Sequence, residues 1–130
     1  MSHEVLQPPG WARPRGYANG IAADGRQVFI SGQIGWDAAQ RIVSDDFAAQ
    51  ARQALSNIAA VLTTAGAKPE HLVRLTWFVT SRDEYNAAVV EIGAAYRELI
   101  GRHFPAMSVV VVAGLLEPRA KVEIEATAVI

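Results

Sequence analysis

The stretch KVEIEATAVI, residues 121–130, carries two carboxylates two positions apart, Glu123 and Glu125. If it is a β-strand, side chains alternate, so Lys121, Glu123, Glu125 and Thr127 share one face and Val122, Ile124, Ala126, Ala128 and Ile130 the other. Two acids on one sheet face fit either of two situations. They can sit on a solvated surface, or they can form an acid–base site in which a positioned carboxyl group takes up and returns a proton. Alternation alone leaves both open.

Other reactive residue types are sparse. His3, His71 and His103 lack the close spacing of a metal-binding helix or hairpin, and no H-E-x-x-H pattern occurs, so no metal site is expected. Without cysteine there is no disulfide, thiolate nucleophile or Cys-based metal site. Ser31 lies in ISGQIG, which is not a G-x-S-x-G nucleophile elbow, and no histidine is assignable as its base. A hydrogen bond to ligand or backbone is its expected role. Arg97, Arg102 and His103 stand just before FPAMS and are placed to bring a cation to that segment, but Arg102 and His103, near a helix end, more simply complement the helix dipole and the free carbonyls there. Arg119 is expected in solvent. Core or interface packing is the expected role of all three tryptophans, Trp77 on a strand face, with the lining or covering of a cleft as the alternative for Trp11 and Trp36.

The elements that must position these groups follow from periodicity. Pro8, Pro9, Gly10, Pro14 and Gly16 make residues 1–16 an extended surface arm. Tyr17–Ala23 and Gln27–Ile34 flank Asp24-Gly25, a pair suited to a tight hairpin turn. Residues 45–65 repeat apolar side chains at steps of three and four between Asp46 and Gly66, which predicts a helix. Leu72–Val79 is rich in β-branched and aromatic residues and reads as a strand with Val73, Leu75, Trp77 and Val79 on one face. Ser81 and Glu84 have capping-box spacing before a second helix that runs to Gly101. Met107–Ala113 is uniformly apolar, as in a strand covered on both faces, and the final strand follows the turn at Glu117-Pro118. The order ββαβαββ predicts a two-layer α+β domain with both helices on one face of a single mixed sheet. Its other face would be left open, which predicts self-association.

The chain has 130 residues, enough for one domain over 1–130, and is 51% hydrophobic and 19% charged. A net charge of −1 and no cluster of Lys and Arg give no electrostatic footprint for nucleic acid. The start of the sequence does not read as a secretory signal and no apolar run approaches the length of a membrane span, so a cytoplasmic location without membrane contact is expected.

Five stretches together carry a family resemblance: GYANG at 16–20, FISGQIG at 29–35, QARQALSNIAAVLTTAGA at 50–67, FPAMS at 104–108 and VEIEATAV at 122–129. The chain resembles the RidA/YjgF family, also called endoribonuclease L-PSP. The resemblance implies a chorismate-mutase-like fold of the bacillus type and a homotrimer whose three sheets form a central barrel with clefts between subunits. It also implies hydrolytic deamination of reactive enamines and imines, with water as co-substrate and no metal or organic cofactor. Carried over residue by residue, the cleft tyrosine falls on Tyr17, the strand-end serine and glycine on Ser31 and Gly32, and the water-positioning glutamate on Glu123. Glu125 is then a supporting acid, and Met107 and Ser108 lie among the ligand-binding positions.

The sequence departs from the family at FPAMS. Members with imine deaminase chemistry have arginine where Met107 stands, and a guanidinium there grips a substrate carboxylate with paired hydrogen bonds. Methionine cannot. An asparagine that some members place in the second helix falls near Val89, a change in the same apolar direction. The expected ligand is therefore a small enamine or imine without an amino-acid-type carboxylate at that position. Three functions compete: a cofactor-free deaminase acting through Glu123, a small-metabolite binder using the same cleft without chemistry, and a ribonuclease, for which the sequence offers neither a basic groove nor a paired acid–base constellation.

Overall fold

The computed structural model describes residues 3–130, and its nine main elements follow in chain order. They are β1 (Glu4–Leu6), β2 (Gly20–Ala22), β3 (Gln27–Ile34), α1 (Phe47–Thr64), β4 (Leu72–Val79), α2 (Arg82–Ala87), α3 (Val89–Leu99), β5 (Ala106–Val111) and β6 (Val122–Val129). The main sheet has the order β3-β6-β4-β5. It is mixed: β6 runs antiparallel to both β3 and β4, whereas β4 and β5 are parallel. A parallel pair needs a crossover, and α2 and α3 supply it. The α+β arrangement expected from the sequence is the one found.

Local chemistry sets the helix bounds. Asp46 caps α1 by accepting from the Ala49 amide at 3.0 Å. At the other end Gly66 takes φ of 74°, which lets its amide reach Thr63 O and the Ala67 amide reach Leu62 O. Between these caps Ala51, Ala54, Leu55, Ile58 and Leu62 are wholly buried against the sheet. Each buried leucine or isoleucine stabilises the fold by about 1.5–3 kcal/mol. From the sheet, Ile30, Leu75, Trp77, Val79, Val122, Ile124, Ala126 and Ala128 meet that layer.

Four expectations change. The hairpin at Asp24-Gly25 does not form: β2 pairs with β1 in a separate two-stranded ribbon, so part of the N-terminal arm is itself a strand. β3 pairs instead with β6, and the Arg26 amide donates to Ile130 O at 3.1 Å while Ile130 N donates back at 2.9 Å. Gly25, with φ of 142°, is needed because a side chain there would strike the Ile130 carbonyl. The dipeptide marks the turn, but which strand pairs next is settled by long-range burial.

The second helix is two helices. The backbone leaves helical geometry at Ala88 (φ −103°, ψ 3°), next to Val89-Val90, whose branched side chains weaken helix propensity. In β4, the pairing register shifts between Leu72 and Arg74, so Leu72 is buried in place of Val73. Finally, β5 is a sheet edge, and within one chain its Val109, Val110 and Val111 are exposed.

The sheet face away from the helices carries Phe29, Arg74, Thr76, Phe78, Glu123, Glu125 and Thr127, and no element among the described residues covers it. Phe29 there is 73% exposed.

Candidate functional site

Alternation along β6 works as expected: Val122, Ile124, Ala126 and Ala128 enter the core, while Glu123, Glu125 and Thr127 stay on the open face. What meets the two acids depends on β3. Its pairing with β6 slips between Ile30 and Gln33, so Ser31 and Gly32 form a bulge opposite Glu125. The bulge leaves Gly32 bare beneath Glu123. A Cβ on Gly32 would lie 2.6 Å from Glu123 Cδ and closer still to Oε2. The glutamate side chain thus lies across the glycine backbone, and glycine is required there for close approach rather than for φ. A glycine inside an apolar strand pattern is itself a bulge signal, and ISGQIG contains one.

Beside this pair is a concavity of about 320 Å³ lined by Phe29, Ser31, Arg74, Thr76, Glu125 and Thr127. Gln33 Nε2 donates to Ser31 O at 3.1 Å and to its Oγ at 3.4 Å. Pairing registers place Ser108, Thr76 and Glu125 in one row across β5, β4 and β6, and Val110, Phe78 and Glu123 in the next. Arg74 brings a guanidinium to this face, where it pairs in register with Thr127. It was not singled out from the sequence, although a lone cation in LVRLTWFV was the available signal.

Met107 lies elsewhere. It pairs with Leu75, so it shares the helix side of the sheet, opposite the face that carries Glu123. There it lines a second cavity of about 350 Å³ with Arg15, Gly16, Trp77, Tyr85, Val89, Ile92, Gly93, Tyr96, Arg97 and Phe104. Tyr17, 41% exposed, stands at the same edge, because Ala18 bridges Ala106 and its amide donates to Pro105 O at 3.0 Å. The expected site residues therefore separate within one chain. Ser31, Gly32, Ser108, Glu123 and Glu125 belong to the open face, whereas Tyr17 and Met107 belong to the edge and helix side. Val89 sits with Met107.

The aromatic walls of the second cavity are ordered. Tyr96 and Phe104 stack at 5.6 Å with an interplanar angle of 7°, and Trp77 meets Tyr85 edge-on at 6.4 Å. Burial pushes the Tyr96 and Tyr85 hydroxyls above the ordinary phenol range. Tyr96 donates to His103 O at 2.6 Å, and His103 Nε2 is 2.7 Å from Leu72 O, so this histidine ties the end of α3 to β4. Arg119, expected in solvent, reaches Asp45 Oδ1 at 3.0 Å through Nη2, an exposed pair of small energetic worth. No helix among the described residues is long and apolar enough to cross a membrane.

Comparison with known proteins places these features in a wider group. The profile of the family Endoribonuclease L-PSP matches residues 12–130. A 2-iminobutanoate/2-iminopropanoate deaminase of Salmonella typhimurium is 38% identical over 116 residues, covering 87% of this chain and 86% of that protein. Protein DfrA of Myxococcus xanthus is 38% identical over 120 residues, 87% of this chain and 84% of its own. Among solved structures, the Rid-family protein YyfB of Yersinia pestis superimposes with a TM-score of 0.86 at 34% identity over the whole of both chains. The YjgF gene product of Escherichia coli does so with a TM-score of 0.68 at 37% identity over 87% of each.

Proposed function

The chain belongs to the Endoribonuclease L-PSP family, the RidA/YjgF proteins, and on that premise we propose that it is a cofactor-free hydrolase that deaminates a small enamine or imine in a cleft between subunits of a homotrimer. The observation that carries this reading is the seat of Glu123, whose carboxylate rests on bare Gly32 at a bulge of an uncovered sheet face. A solvated surface acid needs no glycine beneath it. The same face presents Phe29 and Phe78 beside the acids, a pairing of apolar and ionisable groups suited to an interface that encloses a site. Tyr17 and Met107 stand at the opposite edge, so a single site containing all of them requires two copies of the chain.

In this reading Glu123 takes a proton from a water molecule as its oxygen attacks the carbon of the C=N bond and passes that proton to the nitrogen, which gives a tetrahedral carbon bearing a hydroxyl and an amino group. The same carboxylate then takes the hydroxyl proton and delivers it to the amino nitrogen as the C–N bond breaks, so ammonia leaves and a carbonyl compound remains. Ser31 and the Gly32 backbone orient the water or substrate, Ser108 and Tyr17 contact the ligand, and Glu125 supports Glu123. Met107 offers no charge, so a carboxylate is not gripped at that point. The same methionine favours a second reading, a trimer that binds a small metabolite without turnover.

Ammonia release from a freshly generated neutral imine and from 2-aminoacrylate separates the two. Turnover that disappears in Glu123→Gln while ligand binding persists is the expected result. Turnover unchanged in that variant would remove Glu123 from the chemistry, and no turnover of either substrate by the wild type would leave the binder.

A further inference from the structure

We propose that the helix-side cavity binds the aromatic body of a carboxylate, with Arg15 and Arg97 holding the acid group at its rim. This rests on the reading of the cleft as a small-molecule site, and it names the class of molecule. Four observations lead to it. The volume of about 350 Å³ lies at the small end of ligand pockets, roughly 300–1,000 Å³, and suits one or two fused rings. The walls are flat: the stacked Tyr96–Phe104 pair and the Trp77–Tyr85 pair offer faces and edges to a planar guest. Met107 adds a thioether, which packs well against aromatic rings.

The charge of the rim is the fourth. The cavity is lined by two guanidinium groups and no carboxylate. Among the described residues the ion pairs engage Arg41, Arg52, Arg119 and Lys121, so Arg15 and Arg97 have no acidic partner. Gly93, one turn before Arg97, has no side chain, and a Cβ built there would meet only Arg97 Nη1, at 3.5 Å. The guanidinium therefore folds back along α3 beside the cavity instead of extending away. One cation comes from the arm and one from α3, and each guanidinium can give a carboxylate charge-assisted hydrogen bonds. Anion recognition is thus moved from the start of β5 to the rim, and the methionine becomes part of the apolar wall.

Isothermal titration calorimetry with phenylacetate and its neutral counterpart phenylacetamide tests this. The wild type is expected to bind phenylacetate at least about tenfold more tightly than the amide, the preference given by one charge-assisted contact. Arg15→Gln and Arg97→Gln should each erode that preference while leaving phenylacetamide affinity unchanged, and the double variant should abolish it. Equal affinity for acid and amide in the wild type, binding of neither, or a preference that survives in the double variant would overturn the proposal. Imine turnover is scored separately. A chain that shows the acid preference but deaminates nothing loses the catalytic reading and keeps this one, and the converse outcome does the reverse.

Discussion

Replacing Gly32 with alanine asks whether the bulge in β3 exists to seat the carboxylate. An added methyl carbon would lie 2.6 Å from Glu123 Cδ and 2.8 Å from its Cγ. Non-bonded carbons rest at about 3.5–4.0 Å, so the carboxyl group must move by roughly 1 Å. The obstacle is the end of a flexible side chain on an open face, so it can swing aside at a cost within about 1 kcal/mol, or about 4 °C in melting temperature. Catalysis should suffer more. A misplacement of about 1 Å in an acid–base group costs on the order of 100-fold in rate. Gly35→Ala is the control, because its Cβ would lie 2.6 Å from Gln50 Cα, a backbone atom of α1 that cannot step aside. That variant should lose roughly 1–3 kcal/mol, the cost of an overpacked core. Thermal melts and ammonia release measured on both variants give the comparison. If Gly32→Ala melts as low as Gly35→Ala, or keeps full turnover, the glycine serves the fold and not the acid.

Other perturbations follow from the same geometry. Gln50 is fully buried and joins Ser44 O, Arg119 O and the Lys121 amide at 2.8–3.0 Å, so Gln50→Leu should cost about 3 kcal/mol in urea denaturation by stranding those groups. Phe29→Asp on the open face should convert a species of three times the 14.0 kDa chain mass into monomer in light scattering, and an unchanged mass would place the interface elsewhere. Burial raises the Tyr96 hydroxyl above its ordinary value of 10.0, so the folded state binds this proton more tightly than the unfolded one. Its stabilising contribution is complete below pH 10 and is lost as pH rises beyond it, which urea midpoints measured from pH 8 to 12 would register as a fall on the alkaline side.

Much of the fold was legible because burial imposes a period. The spacing of Phe47, Ala51, Leu55, Ile58 and Leu62 could only serve a helix with one buried face, and the alternation of 121–130 could only serve a half-buried strand. Where the reading failed, a local signal had been given a long-range meaning. Asp24-Gly25 marks a change of direction, yet β3 finds its partner far along the chain in β6, since that pairing buries Ile30 against Ala126. Likewise the valines of β5 suit burial on both sides, but one chain leaves them at an edge. Alternation singles out the two acids and family resemblance adds Gly32, whereas their contact is not legible, because it depends on a register slip that alternation cannot show.

That slip also decides which face Ser31 and Gly32 serve. A regular ladder would have carried Ser31 and Gly32 past β6 as two ordinary positions, one facing the helices and one facing out. With the bulge, both stand against the single position Glu125, and Ile30 still keeps its place in the core. β4 answers on the other side of β6 with its own shift at Val73, which returns Arg74, Thr76 and Phe78 to the face of the acids. β5 follows β4 in register, so the parity of that strand decides which side each of its residues serves. Ser108 joins the acids, and Met107 is turned toward the aromatic cavity. A substitution at 107 therefore acts on the helix side of its own chain, and it can influence Glu123 chemistry only where a second subunit brings its open face to that edge.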